Sequence, residues 1–89
     1  TYSTPEIRVP CPDDRKFQVV QDVTEYFRQR HDIIDIDGVR ILLEDGWGLV
    51  RASNTQPVLV LRFEALSETR LSEIQSMVES VLTEIRETY

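Results

Sequence analysis

With 89 residues and a net charge of −6, the chain has room for one small domain with a modest core. It is too acidic for a general nucleic-acid role, in which affinity comes from lysine and arginine neutralising phosphates. The single cysteine, Cys11, excludes an internal disulfide and a multi-cysteine zinc site. No apolar run approaches the roughly 18 to 20 residues that span a bilayer, and Thr1 to Pro5 lacks the basic-then-apolar pattern of a signal peptide. These features predict a soluble protein at home in a reducing cytoplasm, and the missing initiator methionine suggests a piece of a longer chain. Nine of the ten basic residues are arginine, so any anion site must be local and set into an acidic surface.

Ser3-Thr4-Pro5-Glu6 opens the chain as a polar, proline-marked linker. Ile7, Val9 and Cys11 then alternate with Arg8 and Pro10, the pattern of a short strand with one buried face, and Pro10 suits an edge or a strand end. Pro12-Asp13-Asp14 reads as a turn and a helix start, with an Asp side chain accepting the free amides. The first helix is predicted over about residues 14 to 30, with an apolar stripe of Phe17, Val20, Val23 and Phe27 widened by Val19 and Tyr26. Arg28 and Arg30 in its last turn suit the helix dipole.

Ile33-Ile34-Asp35-Ile36 is a short β-like run that turns at Asp37-Gly38. Val39, Ile41 and Leu43 alternate with Arg40 and Leu42 as a clear strand, and Asp45-Gly46 is a hairpin signal. The returning strand carries Trp47, Leu49 and Arg51 on one face and Gly48, Val50 and Ala52 on the other. Turn-forming residues interrupt it from Ser53 to Pro57. Val58 to Glu64 follows as the most β-prone segment, predicted to be central. Ser67 caps a last helix with a stripe of Leu71, Ile74, Val78, Val81, Leu82 and Ile85. The order β, α, two or three strands, α predicts an α+β domain, with an antiparallel sheet of about four strands and both helices on one face.

The segment between the two longest strands holds the ingredients of an anion cradle. Arg51 presents a permanently charged planar fork matched to phosphate oxygens. Ser53 and Thr55 offer hydroxyls, Asn54 an amide, and the turn can aim backbone N–H groups inward. Pro57 has no N–H, so backbone donors must precede it. Arg51 and Ser53 fall on the same side of an extended strand. The same residues also make an ordinary β-turn beside a solvated arginine, and spacing leaves both readings open.

Elsewhere the bland reading is preferred. His31 reads as a surface residue at a helix end, and Asp32, Asp35 and Asp37 as solvated loop carboxylates without the downstream glutamate of a calcium loop. Trp47 is read as packing rather than as a sugar platform, Cys11 as a small buried apolar group, and the acidic final helix as a solvated outer face. No catalytic residue and no metal ligand is found.

The string Asp37-Gly38-Val39-Arg40, followed by Gly46 to Glu64 with Arg51-Ala52-Ser53-Asn54-Thr55-Gln56-Pro57 at its centre, closely resembles the C-terminal domain of phosphomannomutase/phosphoglucomutase enzymes of the α-D-phosphohexomutase superfamily. Ser3 to Ile7 resembles the start of that domain. The resemblance implies a fold similar to the TATA-binding protein, with residues 1–6 as an inter-domain hinge and 7–89 as the domain. It implies that Arg51, Ser53, Asn54 and Thr55, with the amide of Gln56, bind the non-reacting phosphate of a hexose phosphate. The implied partners are mannose or glucose phosphates, their bisphosphate intermediate and the other domains of one enzyme. A phosphoserine and Mg²⁺ are expected in those other domains, and no cofactor in this one. Many superfamily relatives carry Gly and Glu where this chain has Asn54 and Gln56, which favours the dual mannose/glucose subgroup. The rivals are a stand-alone module for phosphorylated ligands or RNA, and a structural domain in which the Arg51 loop is only a turn. The acidic charge, and strands without paired aromatics, weigh against RNA.

Overall fold

A computed structural model describes residues 1–89. The period-two segments become strands and the two stripes become helices. In chain order these are β1 (Tyr2–Ser3), β2 (Ile7–Pro10), α1 (Lys16–Arg28), β3 (Asp32–Ile34), β4 (Val39–Leu43), β5 (Gly46–Ala52), β6 (Val58–Ala65) and α2 (Glu68–Glu87). The sheet is antiparallel throughout and runs β1-β6-β5-β4-β3, with β2 also on β6. Strands β1 and β2 follow one another along one edge of β6, from Tyr2 opposite Ala65 to Pro10 opposite Val58. Thr4 joins them, donating its amide to the Phe63 carbonyl at 3.0 Å and accepting the Phe63 amide on its hydroxyl at 3.2 Å. Beyond the roughly four strands expected, the sheet gains β1 and β3, the latter starting one residue before the Ile33 to Ile36 run and ending at Ile34.

Alternation sorts each strand between two faces. Val39, Ile41, Val50, Ala52, Leu59, Leu61, Phe63 and Ala65 turn toward the helices and are buried with Val19, Val23 and Phe27 of α1 and Ile74, Val78, Val81 and Leu82 of α2. Each such valine, leucine, isoleucine or phenylalanine contributes roughly 1.5–3 kcal/mol by leaving water. Gly48 belongs to this face, where a Cβ would meet the Phe63 ring at 3.0 Å, so its missing side chain makes room for that ring. The opposite face of the sheet has no helix over it.

Three local expectations are corrected. No Asp side chain caps α1. The Pro12 carbonyl accepts the Arg15 and Lys16 amides instead, and the Asp13 carboxylate takes the charged Lys16 ammonium at 2.8 Å. Phe17 leaves the predicted stripe and is 55% exposed, while Lys16 enters the buried face of α1. The hairpin between β4 and β5 turns on Glu44 and Asp45, neither of which takes left-handed backbone, and Gly46 is already the first residue of β5. Glycine is required there by close approach, since a Cβ would lie 2.4 Å from the Glu64 carbonyl oxygen. The turn expected at Asp37-Gly38 is present and left-handed, with φ of 54° and 97°. Helix α2 follows its prediction, with the Ser67 hydroxyl accepting the Arg70 amide at 3.1 Å.

Candidate phosphate-binding site

Strand β5 delivers Arg51 to the helix-free face at the end of the sheet, and the chain crosses to β6 through Ser53 to Pro57. Pairing stops at Ala52 opposite Leu59, and one further bond, from the Ser53 amide to the Val58 carbonyl at 3.0 Å, closes the loop. Inside it the Ser53 Oγ accepts the backbone amides of Thr55 at 3.3 Å and Gln56 at 3.2 Å. Those two N–H groups therefore converge on the same side as a hydroxyl. Pro57 fits the turn that follows, in which the Val58 amide reaches the Gln56 carbonyl at 2.8 Å; its own ring nitrogen has no hydrogen to satisfy.

The loop is braced from outside. The Pro57 carbonyl accepts the Cys11 amide at 2.8 Å, the Gln56 carbonyl accepts the Lys16 ammonium at 3.0 Å, and Arg8 donates to the Gln56 side chain. By contrast, Asn54 and Thr55 are exposed and their side chains have no hydrogen-bond partner in the domain. Arg51 has a single contact, to Asp37 at 3.4 Å, with the two side chains 37% and 67% exposed. An exposed pair at that distance holds by at most about 1 kcal/mol, so the guanidinium is placed but not committed. The placing comes from Gly38, whose turn lies against β5 so closely that a Cβ would be 2.5 Å from the Arg51 Cβ.

Four of the five sequence-predicted residues thus lie on one loop, with Arg51 at the end of the strand that enters it, and their roles divide. Arg51, Asn54 and Thr55 present unengaged donors, Ser53 organises the amides of Thr55 and Gln56, and the Gln56 side chain is turned aside to Arg8. Arginine is concentrated on the sheet face beside the loop, with Glu6 paired to Arg8 and Asp37 to Arg51. On the helix-free face Arg8 and Arg51 both sit opposite Val60, and Arg40 and Arg62 both sit opposite Leu49. Four of the nine arginines of an acidic chain therefore share the face that leads to the loop. Trp47 lies on this face as well, with the Arg40 guanidinium 4.3 Å from its ring centre.

The other candidates disperse. Asp35 pairs with Arg28 at 2.7 Å, and the guanidinium holds its carboxyl below the usual carboxylate range. Asp37 faces Arg51, and no three His, Cys, Asp or Glu side chains gather as a metal-binding group. His31 packs its ring near Phe27 and Cys11 is buried. The residue that the sequence reading passed over is Lys16. Its signal was a lone lysine one turn before Val20 in the buried stripe of an amphipathic helix.

The fold is a small α+β domain with a donor-lined turn at the end of its sheet. Residues 6–81 match the family described as phosphoglucomutase/phosphomannomutase, C-terminal domain, and the chain belongs to that family. It is 44% identical over 81 residues to a phosphomannomutase/phosphoglucomutase of Pseudomonas aeruginosa, covering 90% of this chain and 18% of that protein. A phosphoglucomutase of Neisseria gonorrhoeae is 41% identical over 85 residues, covering 92% of this chain and 18% of its own length. A crystal structure of a phosphoglucomutase/phosphomannomutase family protein from Burkholderia thailandensis superposes with a TM-score of 0.76 at 33% identity, covering 96% of this chain and 18% of that one. The chain thus spans about a fifth of the length of the relatives it matches. None of its helices is long and apolar enough to cross a membrane.

Proposed function

We propose that this domain holds the non-reacting phosphate of a hexose phosphate within a phosphomannomutase/phosphoglucomutase that interconverts hexose 1-phosphates and 6-phosphates. The observation that carries the reading is the convergence of donors at the end of β5. Arg51 comes two residues before Ser53, whose hydroxyl gathers two backbone amides, and the side chains of Asn54 and Thr55 in the same loop are exposed and unengaged. A phosphate oxygen accepting those amides would replace a neutral acceptor with a charged one, which strengthens each bond.

The role is positional. Phosphoryl transfer depends on alignment and charge stabilisation, and a clamp on the remote phosphate turns binding energy into placement of the reacting hydroxyl. No nucleophile or base is paired within these residues, so the phosphoserine and Mg²⁺ of the reaction are assigned to other parts of the enzyme, in the cytoplasm. The bisphosphate intermediate must turn between half-reactions, and a clamp of hydrogen bonds can release and regrip it. Residues 1–6 enter this reading as the hinge. Because Tyr2 and Ser3 pair with β6, rotation there either strips those pairs or carries them with the domain.

The test is Arg51→Ala in the full-length enzyme. Loss of charge-assisted bonds worth about 2 kcal/mol raises KM for glucose 1-phosphate roughly thirty-fold, with a smaller fall in kcat from misalignment. KM and kcat both at wild-type values would overturn the assignment.

A further inference from the structure

Lys16 is the only lysine of the chain, and it is buried, with 4% of its surface exposed. It stands in the first turn of α1, on the face that otherwise carries Val19, Val20, Val23 and Phe27. An ammonium taken out of water is costly unless its donors are satisfied. Here one bond goes to the Asp13 carboxylate at 2.8 Å and another to the Gln56 carbonyl at 3.0 Å. Asp13 is not buried with it, since its side chain is 72% exposed. A charge that served only to pair with Asp13 could do so at the surface, as the arginine pairs of this domain do. What burial adds is reach to a backbone oxygen forty positions along the chain, behind the loop.

That oxygen belongs to the residue whose amide points into the cradle. The Gln56 N–H meets the Ser53 hydroxyl on the inner side, while its carbonyl is held from behind by Lys16 and by the Val58 amide at 2.8 Å. The bond from Cys11 to the Pro57 carbonyl, at 2.8 Å, fixes the next peptide. Ser53 holds these amides by two rather long bonds, 3.3 and 3.2 Å, in an exposed part of the loop. A fixed point behind the loop is needed, and the ammonium supplies it with a compact charge carrying three donors.

We propose that Lys16 is the positioning residue of the phosphate loop, pinning the Gln56 carbonyl from behind so that the Thr55 and Gln56 amides face the bound phosphate. The inference rests on the phosphate-clamp reading above and adds a residue to it from outside the loop.

The experiment uses the 89-residue chain labelled with ¹⁵N, with glucose 1-phosphate as the probe. In ligand-free chain, Lys16→Met, which is close in volume and lacks the donor, speeds exchange of the Ser53 and Val58 amides about ten-fold relative to the Leu61 amide in the core. The same substitution weakens glucose 1-phosphate binding about ten-fold, read from the Thr55 and Gln56 shifts. In the unaltered chain, the buried Lys16 ammonium resonance moves along the same titration curve as the Gln56 amide, which tests the idea even if the variant does not fold. Loop exchange and affinity both within two-fold of the unaltered chain would remove Lys16 from the site and leave the clamp standing. Faster exchange at Val58 and Leu61 alike, with unchanged affinity, would make Lys16 a stability residue only and overturn the proposal. An ammonium signal that stays still while the Gln56 amide shifts also overturns it. Loop amides of the unaltered chain that ignore glucose 1-phosphate would sink the clamp reading itself, and the positioning role with it.

Discussion

Strand β5 ends in two turns that use polar groups in opposite ways. At its start, the Glu44-Asp45 hairpin is tied inward. The Leu66 amide donates to the Asp45 carbonyl at 3.0 Å, the Asp45 carboxylate takes the Arg70 guanidinium at 2.7 Å, and Gly46 lies against the β6 backbone. At its far end, Ser53 to Pro57 is braced from outside by Lys16, Arg8 and Cys11, its Thr55 and Gln56 amides rest on the Ser53 hydroxyl, and the Asn54 and Thr55 side chains stay exposed. The first turn is consumed by the fold. The second is held by the fold but left unsaturated, which is the physical condition for binding something else. Both turns hang on the same strand, so variants can separate the two uses.

The largest effect is expected at the saturated end. Gly46→Ala places a methyl 2.4 Å from the Glu64 carbonyl oxygen and 2.8 Å from the Ile74 side chain, so backbone must move. Urea unfolding should show a loss of about 1–3 kcal/mol, with glucose 1-phosphate affinity of the folded fraction unchanged. A fall in affinity without a fall in stability would erase the contrast between the turns. Ser53→Ala is the mirror experiment: it removes the acceptor that gathers the Thr55 and Gln56 amides at 3.3 and 3.2 Å. Affinity should drop about five-fold while stability changes by less than about 1 kcal/mol, because the loop is exposed and its amides can turn to water.

The smallest effect belongs to acid, at the turn that leans on Arg51. Arg28 holds the Asp35 carboxyl below its usual range, so the native state binds this proton less readily than the unfolded chain does. Its stabilising contribution is therefore complete above the ordinary aspartate value of about 3.9 and is lost as pH falls through the lower native value. Urea midpoints measured downward from pH 6 should fall in that acid window, and Asp35→Asn should flatten that part of the slope. An equal slope in both chains would remove the Arg28 pair from the account of this turn.

Much of this architecture was legible because local pattern and tertiary outcome agree. Strands β4, β5 and β6 alternate cleanly, Ser67 caps α2 as written, and the Arg51 to Pro57 string marks its own loop. What escaped depends on partners distant in sequence. Nothing local tells that Gly46 is present for the Glu64 carbonyl rather than for a left-handed turn, or that Asp13 serves Lys16 rather than a helix end. Phe17 and Lys16 exchange the faces that hydropathy assigns them, since one more methylene chain in the stripe lets a charge reach a carbonyl that no window over α1 contains. Periodicity recognises faces; it does not recognise an address.

The pairing of β2 with β6 carries a consequence for time rather than for binding. Ile7 faces Leu61 across roughly fifty residues of chain, and β6 carries more apolar residues than any other strand of the sheet. Until β2 and β6 meet, one edge of Val58 to Phe63 is bare, a short β-prone run of the kind that pairs with strangers. Such a long loop closure belongs to the slower, millisecond-to-second range of small-domain folding. The strand that leaves the phosphate loop is thus also the segment most exposed to misassembly while the domain is being made.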